Sequence, residues 1–261
     1  IRKAIEQVPE SIKDALNQSA ARVRDFHVAT MPKSWMDIDK GFGEEVVPIS
    51  RAGLYIPGGN AAYPSTVIMT AIPAKIAGVE EIIMTTPPRF QGGPDPNVLA
   101  AADIAGVDKI FTIGGAQAIA AMAFGTESIP RVDIVCGPGN VFVTLAKKML
   151  YGQVGIDGLE GPTETLIIAD ENANPALCAA DLLGQAEHDI LATPVLITTD
   201  ENLVPNVQHQ LDIQLAGMAN KETMSLSMDT RAVIVVVDYL EDAIEIANVY
   251  APEHLCLMVK E

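Results

Sequence analysis

The amino-acid sequence predicts an α/β protein of two parallel-sheet units, and three observations lead to it. Short apolar runs alternate with helical patterns along most of the chain, the mark of strands joined by crossover helices. Three apolar runs end in glycine turns that open helices, at Pro57-Gly58-Gly59-Asn60, Gly114-Gly115-Ala116-Gln117 and Gly137-Pro138-Gly139-Asn140. The third is composition: 49% of the 261 residues are hydrophobic but only 5% aromatic, an aliphatic usage that suits strands buried on both faces under helices.

The elements follow in order. Ile1 to about His27 reads as a helix with Ile5, Val8, Ile12, Ala15 and Leu16 at apolar positions. Met31 to Pro48 is irregular, broken by Gly41, Gly43 and two prolines. Leu54-Tyr55-Ile56 is a short strand entering the first glycine turn, followed by a helix from about Pro64 to Ala77 and a strand from Glu81 to Thr85. Pro87 to Pro96, with four prolines and two glycines, reads as a surface loop. Helix Asn97 to Ala105 leads to strand Lys109 to Ile113, the second turn and another helix; strand Val132 to Cys136 leads to the third turn and a helix to about Leu150. Ile76-Ala77-Gly78-Val79 and Ile104-Ala105-Gly106-Val107 echo each other as helix end, glycine C-cap and strand entry.

After a glycine-rich link, Gly152 to Pro162, the alternation resumes. Strands are expected at Thr165 to Ala169, Thr193 to Thr198 and Val233 to Val237, and helices at Pro175 to His188, near Leu203 to Ala216, and at Leu240 to Tyr250. Texture changes near positions 53 and 161. The expected fold is therefore two Rossmann-like parallel-sheet domains, one inserted into the other: residues 1–52 plus 162–261 form the first, and 53–161 the inserted one.

A net charge of -17 argues against a nucleic-acid or anionic-membrane partner, since both need a basic face. It leaves an anionic cofactor open, because a local nest of backbone N–H groups suffices for a phosphate. Cys136, Cys178 and Cys256 are far apart and odd in number, which points to a reducing, cytoplasmic setting and away from disulfides or a thiolate metal site. No apolar run has the length of a membrane span, and Ala232 to Val237 reads as a buried strand. No signal peptide is visible. The chain starts at Ile1 and stops at Glu261 just after an apolar segment, so it is expected to be part of a longer protein.

Two groups hold two of the four histidines beside a carboxylate or amide. In Gln185-Ala186-Glu187-His188, Asn174 serves as N-cap with Pro175 at the first helical position, and Asp181, Gln185 and His188 share one face at i, i+4 and i+7. An imidazole and an amide oxygen one turn apart can reach a single ion, though the same spacing also occurs on a solvated helix face. In Pro252-Glu253-His254, Pro252 is expected to hold Ala251 extended and end the preceding helix. Glu253 and His254 then sit at a loop-to-strand junction, either as a general acid/base pair or as an exposed polar step. The glycine turns lie at the carboxyl ends of strands, where ligands bind, and Gln117 and Asn140 stand where a side chain meets a ribose or an amide. Such turns also serve as punctuation, and none is Gly-x-Gly-x-x-Gly or a P-loop. His27 and His209 fall outside the motifs.

Gly53-Leu54-Tyr55-Ile56-Pro57-Gly58-Gly59, Gly114-Gly115-Ala116-Gln117-Ala118-Ile119-Ala120, Phe124-Gly125-Thr126-Glu127-Ser128, Gly137-Pro138-Gly139-Asn140, Gly161-Pro162-Thr163-Glu164, Gln185-Ala186-Glu187-His188 and Pro252-Glu253-His254-Leu255 together resemble the histidinol dehydrogenase family, from the N-terminal helix to Glu261. The resemblance implies a zinc-dependent oxidation of L-histidinol to L-histidine in two NAD-dependent steps through the aldehyde. It implies that Gln185 and His188 ligate zinc and, with Thr163 and His254, meet the substrate. His254 would be the base that takes the alcohol proton, and Glu253 would activate water for attack on the aldehyde. Tyr55, Gln117 and Asn140 would contact NAD, which assigns 53–161 as the NAD-binding domain. Thr163 stands where the family often has serine, and keeps its hydroxyl. The family is homodimeric and continues past this motif, with its remaining zinc ligands, an aspartate and a histidine, in that continuation. A half-built metal site is therefore expected here. Two further readings are a paralogous dehydrogenase of another zinc-chelated polar alcohol and an inactive NAD-binding portion. A pure binding module has no need of Gln185, His188, Glu253 and His254, and a zinc hydrolase lacks its His-Glu-x-x-His.

Overall fold

A computed structural model describes residues 2–58, 62–88, 93–159, 163–188, 190–218 and 221–260. Gly59 and Asn60 of the first glycine turn, the centre of the 87–96 loop and Gly161-Pro162 lie outside the described residues. Two compact units emerge, Ile1–Glu160 and Gly161–Glu261.

The first unit opens with α1 (Arg2–Glu6) and α2 (Glu10–Thr30). The single helix expected there is split at Pro9, whose extended backbone (φ -54°, ψ 143°) precedes α2, because a proline ring excludes helical geometry in the residue before it. The stretch expected to be irregular contains a small antiparallel hairpin of β1 (Trp35–Asp37) and β2 (Phe42–Glu44), with Gly41 at φ 73° in its turn. Then comes the alternation: β3 (Arg51–Tyr55), α3 (Pro64–Ile76), β4 (Glu81–Thr86), α4 (Pro96–Ala105), β5 (Lys109–Thr112), α5 (Ala116–Phe124), β6 (Ile134–Cys136), α6 (Val141–Leu150) and a short β7 (Gly155–Ile156) inside the expected link. The five strands form a parallel sheet in the order β5-β4-β3-β6-β7. Residues alternate between its faces. Leu54, Ile56, Ile82 and Met84 pack under α3 and α4, whereas Tyr55, Ile83 and Val135 pack under α5 and α6.

Residues 1–52 were expected to join 162–261. Their described helices instead pack in the first unit, α2 against α3 and α4, with Val8, Leu16 and Ala20 buried in the same core as Ile68, Ile72 and Ala101. The cause is α4, whose Ala100, Ala101 and Ala102 are all buried. A helix apolar all round needs a second covering layer, and α2 provides it.

The second unit holds β8 (Glu164–Ala169), α7 (Pro175–Ala186), β9 (Thr193–Thr198), α8 (Leu203–Ala216), α9 (Lys221–Arg231), β10 (Val233–Val236), α10 (Leu240–Tyr250) and β11 (His254–Met258). Its strands are again parallel, in the order β10-β9-β8-β11. Helix α9 has no counterpart in the expected elements; with Met224 and Ser227 its buried residues, its apolar stripe is too thin to read. Ile167 and Ala169 of β8 face α7, and Leu166 and Ile168 face Ala243 and Ala247 of α10. Among the described residues, no helix is long and apolar enough to cross a membrane. Both sheets are the parallel α/β architecture that the alternation predicts.

In both sheets the strand order reverses beside the first strand, between β3 and β6 and between β8 and β11. Such a reversal opens a crevice beyond the carboxyl ends of the strands. In the second unit Asp170 fills it: one carboxylate oxygen accepts from Lys260 N (2.8 Å) and the other from Asn172 N (2.8 Å). The Lys260 amide foremost, and then Asn172, hold this carboxyl below its ordinary value of 3.8 against a smaller opposing effect of burial. A pKa depressed by folding means stability that is complete above about 3.8 and is lost as pH falls through the lower folded value. Asp170→Ala is expected to cost about 1 kcal/mol at neutral pH, a figure kept small by solvent screening. Urea unfolding at pH 7 and again near pH 2.5 should show that difference shrinking in acid.

Candidate functional site

In the second unit a cleft of about 400 Å³ is lined by Thr165, Asp181, Gly184, Gln185, His188, His254, Leu255 and Cys256. It lies at the amino-terminal edge of the sheet, because α7 runs antiparallel to the strands and ends where β8 and β11 begin. Asn174 starts α7 as expected, its side chain accepting from Ala176 N at 2.9 Å. The helix ends two residues short of the expected His188, which follows in the turn with its N–H donated to Gln185 O (3.2 Å). The turn keeps His188 on the cleft beside Gln185.

Gln185 is buried against β8, where its Oε1 accepts from the Thr165 hydroxyl at 2.7 Å. Its Nε2 is buried and has no hydrogen-bond partner among the described residues. A half-satisfied buried amide is costly, and turning it about its last bond resolves the imbalance in one direction. Nε2 then donates to the Thr165 hydroxyl, and Oε1 takes the partnerless position. An amide oxygen left open beside an imidazole is a donor set that zinc accepts, so these residues fit the ion. Among the described residues, no three His, Cys, Asp or Glu side chains are grouped to hold a metal.

Asp181, the third residue of this face, accepts from the Cys256 thiol; burial and then this contact raise the Cys256 pKa. Burial, and next the neighbouring Cys256, push Cys178 up to about 11, and its Sγ lies 3.3 Å from Met258 Sδ. Both thiols are therefore protonated at neutral pH and poorly nucleophilic.

His254 reaches the cleft as the first residue of β11, in register with Thr165 of β8. Glu253 precedes it, with Oε1 3.8 Å from His254 Nε2 and both side chains more than half exposed (52% and 61%). The extended conformation expected of Ala251 is not found. Ala251 is left-handed (φ 53°, ψ 61°), and its N–H bonds Ala247 O at 2.8 Å. Completing the helix C-cap outweighs the bias from Pro252, and the reversal sends the chain directly into β11. The preceding Tyr250 donates to Glu164 at the start of β8; burial first, and then Glu164, raise its phenol pKa. Glu253 and Thr163 do not line the cleft. Thr163 sits two residues before Thr165, its carbonyl accepting from Thr193 N at 3.2 Å. Thr165 was missed in the sequence, and its signal was a hydroxyl in the otherwise apolar β8.

In the first unit the described parts of the glycine turns gather at the reversal between β3 and β6. The Tyr55 hydroxyl accepts from Gly115 N at 3.0 Å, fixing the second turn. Gln117 folds back over the same glycine: a Cβ added at Gly115 would sit 2.8 Å from Gln117 Oε1. The Tyr55 carbonyl lies against Gly137 of the third turn (φ 114°), where an added Cβ would come within 2.1 Å of it, so glycine alone is tolerated. Asn140 caps α6, accepting from Phe142 N at 3.1 Å and Val143 N at 3.2 Å. Tyr55 is buried, whereas Gln117 and Asn140 are exposed. The three expected cofactor contacts thus belong to one crevice edge.

A family model described as histidinol dehydrogenase matches residues 1–261. The chain is 50% identical over 262 residues to a histidinol dehydrogenase of Dehalococcoides mccartyi and 49% identical over 261 residues to one of Synechococcus sp.. These alignments cover 100% and 99% of this chain, which spans 60% of the length of each relative. A crystal structure of histidinol dehydrogenase from Elizabethkingia anophelis superposes with TM-score 0.91 at 39% identity, covering 98% of this chain and 60% of that one. A propionaldehyde dehydrogenase from Rhodopseudomonas palustris, 14% identical with TM-score 0.57 over 94% of this chain and 71% of its own, shares the fold alone.

Replacing Thr165 by valine keeps the shape of the strand residue and removes the hydroxyl that bonds the Gln185 side chain. With both ends of a buried amide unsatisfied, Thr165→Val is expected to cost roughly 1–3 kcal/mol. Denaturant unfolding measures it; a loss within error would mean that water already serves the amide.

Proposed function

The chain belongs to the histidinol dehydrogenase family, and on that premise we propose that it carries the base, the water-activating carboxylate and part of the metal site of a zinc- and NAD-dependent oxidation of L-histidinol to L-histidine. The observation that carries this reading is the meeting of Gln185, His188 and His254 on one cleft, with a buried amide of which one atom has no partner among the described residues. When bound, zinc would polarise the alcohol and hold it in place, and NAD would accept hydride.

The chain's own residues have separate tasks. Gln185, through its amide oxygen, and His188, through an imidazole nitrogen, would hold the ion and so help to place the substrate. His254 presents an imidazole at the mouth of the cleft, where it takes the proton of the substrate hydroxyl. Glu253, adjacent and exposed, takes a proton from the water that attacks the aldehyde. Thr163 contacts the substrate from the start of β8. Tyr55, Gln117 and Asn140 shape the crevice for NAD in the first unit. A homodimer and a cytoplasmic setting belong to the same proposal, supported by the family and by three cysteines widely spaced in the sequence.

The test is NADH formation from L-histidinol by this chain with zinc added. Relative to whatever turnover the native chain's part of the metal site sustains, His254→Ala is expected to lose about 100-fold or more, and Glu253→Gln to stop after the first oxidation with aldehyde accumulating. A His254→Ala variant as fast as the native chain would remove the assigned base and the reading with it.

A further inference from the structure

Lys147 on α6 is the most deeply buried charge among the described residues, 1% exposed. Its Nζ lies 2.5 Å from Asp157 Oδ1, just past β7, and donates to the carbonyl of Gly137 at 3.1 Å. The other Asp157 oxygen accepts from Gly137 N at 2.6 Å. Backbone on both sides of Gly137 is thus gripped by one ion pair. The gripped residue is the left-handed glycine of the third turn, pressed against the carbonyl of Tyr55, and Tyr55 in turn fixes Gly115 of the second turn. Asp157 is itself held to the sheet, its N–H donating to Val135 O at 3.3 Å.

A lysine behind a glycine turn invites the reading of a phosphate ligand. Burial and two committed partners exclude that role for Lys147. Nor is stability a sufficient reason for the pair, because taking an ammonium out of water costs several kcal/mol that an apolar side chain would avoid. What an ion pair adds over an apolar side chain is direction: it fixes which way the two peptide groups flanking Gly137 point.

We propose that Lys147 and Asp157 are positioning residues for the dinucleotide, locking Gly137 so that the crevice edge made by Tyr55, Gly115 and Asn140 is preformed before the cofactor arrives. The pair does not touch the cofactor. The proposal rests on the NAD reading of Tyr55, Gln117 and Asn140 given above.

Titration of NADH fluorescence with this chain tests it directly, without turnover. Lys147→Met fills the buried channel with an apolar chain of similar length, leaving Asp157 partly exposed and able to hydrate. It is expected to weaken NADH binding about tenfold, the loss that goes with an edge no longer preorganised, while circular dichroism shows the variant folded at the temperature of the titration. Asp157→Asn, which keeps an acceptor for Gly137 N but strands the buried ammonium, is expected to weaken binding at least as much. Should that variant fail to fold, Lys147→Met decides. A purely structural role predicts a lower Tm with an unchanged Kd in the folded variant, and that result overturns the proposal while leaving the cofactor reading intact. A native chain that does not bind NADH would overturn the cofactor reading and this proposal together.

Discussion

Parallel pairing around a central strand that comes first in sequence within its sheet governs both units. β3 and β8 each pair in parallel on both sides, and the crossover helices that parallel pairing requires run back against the strands and cover both faces. That requirement explains the aliphatic strands, the alanine-rich helices and the placement of α2 as an outer layer. It also gives each sheet two unlike edges: helices begin at the carboxyl edge and end at the amino edge.

The two candidate sites occupy opposite edges. In the first unit the crevice lies where α5 and α6 begin, and helix N-termini carry partial positive charge. In the second unit the cleft lies where α7 ends, and a helix C-terminus carries partial negative charge. One edge is thus suited to an anionic dinucleotide and the other to a cation. The preference is worth about 0.3–1 kcal/mol per helix end, too little to bind anything alone but enough to favour the sign. In a protein with a net charge of -17, the turns of the first unit supply a locally favourable environment that overall charge would deny to an anion.

Much of this was legible in the sequence, because the signals were local. Apolar runs gave the strands, glycine punctuation gave the turns, and the i, i+4, i+7 spacing of Asp181, Gln185 and His188 survived the helix ending early. The missing parts depend on contacts distant in sequence. Lys147 reads as an ordinary cation in the last turn of a helix, where such charges are common; only the fold reveals its burial beside Asp157. Thr165 acquires meaning because α7 returns over β8. Residues 1–52 carry no mark of which unit they cover, since an amphipathic helix specifies a face and not a partner. Ala251 defies the local bias of the following proline because the helix cap and the entry of β11 fix it from both sides.

The sites also differ in how completely they are satisfied. In the first unit four of the described donors at the crevice are already engaged: Gly115 N with Tyr55, Gly137 N with Asp157, and Phe142 N and Val143 N with Asn140. Such a site is rigid, and a ligand gains by fitting it. In the second unit the Gln185 amide keeps one buried atom without a partner, so an ion there would remove a standing penalty as well as form a bond. By linkage, whatever binds the folded state alone raises its stability. Cation binding at the cleft should therefore be felt in the packing of α7 on β8, whereas dinucleotide binding in the other unit should leave an already bonded framework nearly unchanged.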